Sequence, residues 1–312
     1  MSPNVRPLHE GELSTADHIF RLAFGTFVGL PEPTAFAGDA SYIQPRWKVD
    51  PTAAFAAEMD GQLVGSIIAL NWGSVGTFGP LSVHPQFWSQ GIAQCLIEAA
   101  LDKFSQWGIE QAGLFTFPNS PKHHALYQKF GFYPQYLTFV MGRPVQADPA
   151  WRISTYAAAE ADVRSHIVQQ CTHITDRIYP GLDATREIEA VHTQALGDTV
   201  LLWHGDELTA FAVCHCGAGT EGGSGTCYVK FAAVKPSDHA AEHFAQLLNQ
   251  CDAFAASQQA TKLIAGVNTS HTSAYTFMVQ QGFRTEIVGV VMQRPNILGY
   301  RRPDVYVLDD WR

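Results

Sequence analysis

The stretch FGPLSVHPQFWSQGIAQCLIEAALDKF, residues 78–104, decides the fold. Its apolar start runs to Val83, and Pro85 then ends the strand because proline cannot donate a ladder hydrogen bond. From Ile92 onward, apolar residues recur at spacings of three and four, as on the buried face of a helix. The segment therefore predicts a strand, a short polar turn over residues 88–93, and a long amphipathic helix that follows the turn directly.

The turn between this strand and helix has the features of an anion site. The first N–H groups of a helix have no partners within the helix, and the helix dipole places partial positive charge at the same end. Gly91 allows a ligand to approach the backbone closely, and the neighbouring side chains carry no negative charge. Residues 89–94 are therefore a candidate phosphate cradle. The alternative is an ordinary strand–helix turn that binds nothing.

The composition bounds the fold and the partners. A chain of 312 residues suggests about two domains, and 46% hydrophobic against 16% charged residues allows large buried cores. The net charge of −9 argues against nucleic acid or an anionic membrane as the main partner. Met1 to Gly11 does not read as a secretory signal, and no apolar run reaches membrane-spanning length. These features favour a cytoplasmic protein.

The cysteines are scattered along the chain, which favours a reduced compartment. They are Cys95, Cys171, Cys214, Cys216, Cys227 and Cys251. Cys214-His215-Cys216 raises a metal hypothesis, since alternate residues of a strand face one side. The spacing differs from the C-x₂₋₄-C of usual zinc sites. We therefore expect buried or half-buried thiols and no metal, with a thiol-ligated metal protein as the alternative.

The chain repeats itself with an offset of 151 residues. Val83-His84-Pro85 recurs as Val234-Lys235-Pro236, KFGF at 129–132 recurs as QQGF at 280–283, and VMGRP at 140–144 recurs as VMQRP. Three matches in one order at one offset indicate a duplicated unit. Upstream the offset falls to 145, and the Gly-rich loop from Cys216 to Cys227 accommodates the six extra residues.

The repeat predicts two domains, residues 1–147 and 148–312, with the boundary near 146–150. Each half reads as a helix (Leu13 to Phe27, or Ala157 to Gln170), β-rich segments, the long helix, a strand, a second helix and a last strand. In the first half, Ser120-Pro121 is a helix-start signal and Gly131 a stop signal. The predicted fold class is α/β, with a mixed, mostly antiparallel sheet that occurs twice.

The order of these motifs resembles the GCN5-related N-acetyltransferases (GNAT). The resemblance rests on the strand ending in Val-His-Pro, a turn in the place of Q/R-x-x-G-x-G/A, the helix, and LYQKFGF at 126–132. It covers residues 8–145 and, more weakly, 150–312, and it implies two GNAT folds in tandem. It also implies acetyl-CoA as co-substrate, with no metal, and direct acetyl transfer to a primary amine in a ternary complex.

Carried over position by position, the resemblance assigns two groups of cofactor-binding residues. The backbone that would bind the pantetheine arm is that of Leu81, Ser82 and Val83. The pyrophosphate cradle would be Ser89, Gln90, Gly91, Ile92, Ala93 and Gln94. Ser120 stands at the family's common Asn position, and Trp88 replaces the usual Gln or Arg. Tyr127 stands where the family often has the tyrosine that protonates the departing thiolate.

The second half departs further from the family pattern. The 151-residue offset puts Glu242 at the Gly91 position, His239 at Trp88 and Met278 at Tyr127. A carboxylate would repel a pyrophosphate, and methionine cannot give a proton. We infer that the second half lost its cofactor site and packs against, shapes or caps the first.

The base and the acceptor stay open at this stage. Candidates for the base are Glu58, His84, His123 and His124, each of which also fits a surface or structural role. The aromatic segment from Phe24 to Phe36 fits either an apolar acceptor or a hydrophobic lid. The acceptor is a small-molecule or peptide amine, and the chain a monomer or a homodimer. The alternative function is a non-catalytic acyl-CoA sensor or interaction protein on the same scaffold.

Overall fold

The computed structural model describes residues 3–146, 148 and 151–312 of the chain, which form a mixed α/β fold as predicted. The helices are α1 Leu13–Val28, α2 Ile43–Val49, α3 Ile92–Trp107, α4 Pro121–Gln128, α5 Ala161–Ile178, α6 Thr185–Thr193, α7 Ala240–Ser257 and α8 Thr272–Gln280. The strands are β1 Asn4–Pro7, β2 Ala54–Met59, β3 Gln62–Trp72, β4 Val75–Phe78, β5 Ser82–Val83, β6 Gln111–Thr116, β7 Tyr133–Pro144, β8 Gly197–His204, β9 Glu207–Gly217, β10 Gly223–Val234, β11 Lys262–Asn268, β12 Arg284–Arg294 and β13 Val307–Leu308.

Local signals set the helix ends in the first half. The side chain of Ser120 accepts a hydrogen bond from the His123 N–H and caps α4, with Pro121 in its first turn. Gly108 ends α3 in the left-handed conformation that glycine adopts most readily. The predicted starts of α3 and α4 are therefore found close to where the sequence put them. The predicted helix at 157–170 lies later, since α5 begins at Ala161 and runs to Ile178.

One continuous sheet joins the two halves of the chain, and its order is β1-β2-β3-β4-β6-β12-β7-β11-β10-β9-β8. The last strand of each half is exchanged. β12 pairs with β6 of the first half, and β7 pairs with β11 of the second half, while β7 and β12 also pair with each other. Neither half completes its sheet without a strand from the other. A division into residues 1–147 and 148–312 stays a prediction, and its boundary falls partly on residues 147 and 149–150, outside the described residues.

The two faces of the first half's sheet carry different helices. Side chains alternate across a strand, so Ile67 and Ala69 of β3 pack in the core that α3 covers. Ile68 and Leu70 point the other way, into the core that α1 covers. A gap in this sheet therefore connects the α3 face with the α1 face.

Among the described residues, no helix is both long and apolar enough to cross a membrane.

Candidate functional site

The sheet of the first half opens between β4 and β6. These parallel strands pair only from Val75–Gln111 to Thr77–Gly113. Beyond these pairs the chain leaves β4 and returns as β5, which pairs with β3 instead. A cavity of about 850 Å³ passes through this opening, with lining residues from both faces of the sheet. Its volume lies in the range of small-molecule and cofactor sites.

The edge of β5 presents backbone donors to this cavity. His84 N–H donates to the Val64 carbonyl at 2.8 Å. Because hydrogen-bonded and non-hydrogen-bonded pairs alternate in an antiparallel ladder, the neighbouring Val83 N–H points away from β3, toward the open edge. The Val83 carbonyl accepts a hydrogen bond from the indole of Trp88 at 2.6 Å. The indole thereby ties the end of β5 to the turn before α3.

The turn before α3 leaves several N–H groups free. Ser89 and Gly91 both have positive φ angles, 65° and 83°, and Gly91 is the N-cap of α3. Within the part of the chain that the structure describes, no acceptor takes the N–H groups of Gly91, Ile92 and Ala93. A side chain at Gly91 would meet no atom within 4 Å, so the space above its backbone is open. This is the geometry of an anion cradle at a helix N-terminus.

Lys122 also lines the cavity, and the sequence pattern did not predict it. Its Nζ, carried by α4, donates to Ser89 Oγ at 3.3 Å and lies 5.4 Å from the centre of the Trp88 ring. It brings a positive charge to the turn whose usual Gln or Arg is replaced by Trp88. Only the general expectation of a cation beside a phosphate could have pointed to it, because Lys122 follows Ser89 by 33 residues.

Tyr127 lies in the same cavity, on the α3 side of the opening. Its ring is buried and packs 6.1 Å from Phe78 between ring centres. Burial raises the pKa of Tyr127 well above its ordinary value, against the lowering effect of Thr116. The phenol is therefore protonated over the whole physiological range and is available as a proton donor.

The structure brings most of the predicted site residues together around this cavity. The predicted residues that line it are Leu81, Ser82, Val83, Ser89, Gly91, Ile92, Ala93, Gln94 and Tyr127. Gln90 is exposed and its side-chain amide donates to the Gln86 carbonyl, while Ser120 is buried as the cap of α4. Neither of these two lines the cavity, and neither has a side chain that is free for a ligand in this arrangement.

Of the four base candidates, only His123 lines the cavity. Glu58 accepts a hydrogen bond from Arg6 at the far edge of the sheet, and His84 caps the turn that follows β5. Within the part of the chain that the structure describes, the Nδ1 of His123 is buried without a hydrogen-bond partner. Burial, together with the positive charges of neighbouring groups, lowers the pKa of His123, so its imidazole is neutral at physiological pH.

The equivalent site of the second half is filled. The offset puts Ile92 level with His243, yet α7 begins at Ala240, so the free turn is absorbed into the helix. The strand edge is also occupied, because β13 pairs with Ala232 and Ala233, and Val234 N–H donates to the Tyr306 carbonyl at 3.1 Å. These are the positions of Leu81, Ser82 and Val83 in the repeat. In the second half, β13 and the residue before it thus occupy the strand edge that is open in the first half.

The residues after β13 cross to the cavity of the first half. Trp311 and Arg312 are among its lining residues, and the Trp311 ring lies directly against the backbone of Gly113 where β4 and β6 part. Arg312 pairs with Asp310 at 3.0 Å, and Tyr228 also donates to Asp310. The second half therefore contributes to the wall of the first half's cavity.

The Cys-His-Cys segment lies on β9, in the second half. Cys214, Cys227 and Cys251 are buried in the core of the second half, and Cys216 is half-buried beside them. A hydrogen bond with a neighbouring thiol, and then burial, raises the pKa of Cys214 and of Cys251. Among the described residues, no group of three or more potential ligands is arranged to hold a metal ion.

A family model matches part of the first half of the chain. Residues 18–132 match the model of the family described as Acetyltransferase (GNAT) family. The first half of the chain therefore carries a GNAT domain, and acyl transfer is the chemistry of that family. No curated protein matches the chain significantly in sequence.

Solved structures extend the likeness to the whole chain. A candidate acetyltransferase from Pyrococcus horikoshii superposes with a TM-score of 0.69 at 15% identity, covering 100% of this chain and 95% of that one. A GCN5-related N-acetyltransferase from Sphaerobacter thermophilus gives 0.61 at 14% identity, with 94% and 95% covered. One from Anabaena variabilis gives 0.54 at 14% identity, with 94% and 72% covered. At these identities the likeness concerns the fold, which agrees with the tandem arrangement that the repeat predicted.

Proposed function

We propose that the chain is an N-acetyltransferase that binds acetyl-CoA in the first half and transfers its acetyl group to a primary amine. One observation carries the proposal. In a single cavity, the free strand edge at Val83 and the free N–H groups at Gly91 lie with the buried phenol of Tyr127, whereas the equivalent edge of the second half is filled by β13. The repeated unit thus keeps an open binding site in the first half and has it filled in the second.

The cavity residues divide the binding of acetyl-CoA between them. The pyrophosphate would accept hydrogen bonds from the N–H groups of Gly91, Ile92 and Ala93 at the positive end of α3. Lys122 adds a charge that pairs with phosphate. The edge of β5 would hold the pantetheine arm by backbone hydrogen bonds. The bound thioester supplies the acyl group, with no metal.

The chemistry needs a proton donor and a proton acceptor on either side of the reacting carbonyl. The amine attacks the carbonyl carbon, a C–N bond forms and the C–S bond breaks. Val83 N–H is the candidate donor to the carbonyl oxygen as it gains negative charge. Tyr127 gives its proton to the departing sulfur, and His123 accepts the proton that the amine loses. The products are the N-acetylated amine and free CoA, so atoms and charges balance.

The test follows both products. Purified chain is incubated with acetyl-CoA and a panel of primary amines, free thiol is measured over time, and the amines are analysed by mass spectrometry. We expect thiol release that depends on the amine, with a matching gain of one acetyl group. Saturable acetyl-CoA binding without acetylation of any amine would favour the acyl-CoA sensor instead.

A further inference from the structure

A continuous wall of aromatic rings lines the α1 side of the cavity. Neighbouring rings of this wall are in contact. The distances between ring centres are 5.6 Å for Phe20–Tyr42, 5.0 Å for Phe20–Phe24 and 4.8 Å for Phe27–Phe117. The members of this aromatic wall all line the cavity and are Phe20, Phe24, Phe27, Phe36, Tyr42, Phe117 and His123. Phe24 and Phe27 lie in the last turns of α1, which agrees with the helix predicted from Leu13 to Phe27.

The aromatic wall lies on the opposite side of the opening from the donor cradle. The turn at Gly91 belongs to α3, which covers one face of the sheet, whereas α1 covers the other. An amine that attacks a thioester held on the α3 side must reach the opening from the α1 side. Its body then lies against the wall when its nitrogen is at the opening, beside His123.

The wall fits an apolar body and gives a polar one nothing to bond with. Phe20 is buried, while the ring of Phe27 is 38% exposed at the cavity mouth. The polar groups of the aromatic wall are confined to its two ends, at Tyr42 and His123. Aromatic rings stabilise apolar and aromatic groups by burial and by offset or edge contacts. A hydroxylated acceptor would lose its hydrogen bonds to water without replacement along this surface.

We propose that the acceptor is a primary amine with an apolar, preferentially aromatic, body that binds along the aromatic wall. This inference rests on the proposed function, because it names the acceptor class of the same site. His123 is the polar member at the end nearest the chemistry, since it lies one helical turn before Tyr127 and contacts Phe27 at 4.7 Å between ring centres. The apolar body thus directs the amine toward the group that takes its proton.

The experiment compares phenethylamine with ethanolamine, two primary amines of similar basicity, at fixed acetyl-CoA. We expect kcat/KM for phenethylamine to exceed that for ethanolamine by about 10²-fold, the gain for burying one phenyl group. Phe27→Ala should lower kcat/KM for phenethylamine by about tenfold and leave ethanolamine within about twofold. Tyr133→Ala is the matched control, because Tyr133 is an exposed aromatic that does not line the cavity.

Three outcomes would overturn the proposal. Equal kcat/KM values for the two amines would do so, as would an equal loss for both amines in Phe27→Ala. So would a Phe27→Ala effect that appears only when hexanoyl-CoA replaces acetyl-CoA, since the wall would then hold the acyl chain. Calorimetry of phenethylamine with the CoA-saturated protein separates this inference from the proposed function. Phenethylamine that binds more weakly in Phe27→Ala but is never acetylated would support the subsite and overturn the transferase.

Discussion

Arg46 on α2 and Glu221 in the loop between β9 and β10 form a buried ion pair that joins the two halves of the chain. Arg46 donates from Nε and Nη2 to the two carboxylate oxygens of Glu221, at 2.8 and 2.6 Å. Its third nitrogen, Nη1, donates to the Gly79 carbonyl at the cavity. Burial opposes the ionisation of Glu221, but the charges of Arg46 and Lys230 outweigh it and hold its pKa far below the ordinary value. The second half thus fixes a cation at the floor of the first half's cavity.

Removing the charge of Glu221 should destabilise the protein strongly. Glu221→Gln leaves Arg46 and Lys230 buried with reduced compensation, and breaking a buried pair costs about 3–5 kcal/mol. Glu207→Gln, which breaks the exposed pair with Lys235, should leave the stability nearly unchanged, because solvent screens an exposed pair. Denaturant unfolding measures both. A Glu221→Gln protein as stable as the wild type would show that the pair does not hold the halves together.

Tyr127→Phe should slow turnover and spare the fold. The ring keeps its packing against Phe78, but the proton for the departing thiolate is lost, and general acid assistance is worth about 10²–10⁴ in rate. We expect kcat to fall by about that range with little change in KM for acetyl-CoA. Tyr275→Phe, on the helix of the second half that corresponds to α4, is the control and should keep full activity. Wild-type turnover in Tyr127→Phe, with chemistry rate-limiting, would make Tyr127 a packing residue.

The pH dependence of kcat should report His123. Only neutral imidazole accepts a proton, and the pKa of His123 lies below its ordinary value of 6.5 because of burial. We therefore expect kcat to be constant through neutral pH and to fall in acid as pH drops through this lowered pKa. His123→Ala should remove the acid limb and lower the plateau by about 10²-fold.

His124→Ala is the control for this profile, because His124 neighbours His123 but does not line the cavity. Its pH profile should match that of the wild type. An acid limb that persists unchanged in His123→Ala would assign the proton acceptor to another group.

The sequence predicted those features that local signals encode. The 151-residue repeat, the capped start at Ser120-Pro121 and the glycine turn at Gly91 each depend on a few neighbouring residues, and all are found. The exchange of the last strands between the two halves could not be predicted from local sequence signals. VMGRP at 140–144 and VMQRP at 291–295 are nearly the same sequence, so nothing local says which half of the sheet each strand joins.

The contacts around the cavity that the sequence did not predict join distant parts of the chain. Lys122 reaches Ser89 from another helix, and Trp311 reaches Gly113 across nearly two hundred residues. Glu221 stands in a Gly-rich loop that reads as exposed, yet it is buried because two cations from α2 and β10 meet it. Such contacts arise when the two halves pack together, and the spacing of residues within one segment does not predict them.

Calorimetric titration with acetyl-CoA measures how many acetyl-CoA molecules one chain binds, and whether they bind at the turn of Gly91. We predict one site per chain for the wild type and no binding for Gly91→Glu, which puts into the first half the carboxylate that Glu242 carries in the second. Gly61→Glu is the matched control, since Gly61 also has a positive φ, 76°, and open space around it but lies outside the cavity. It should bind like the wild type. Two equivalent sites per chain, or unchanged affinity in Gly91→Glu, would show that acetyl-CoA does not bind at the turn of Gly91 alone.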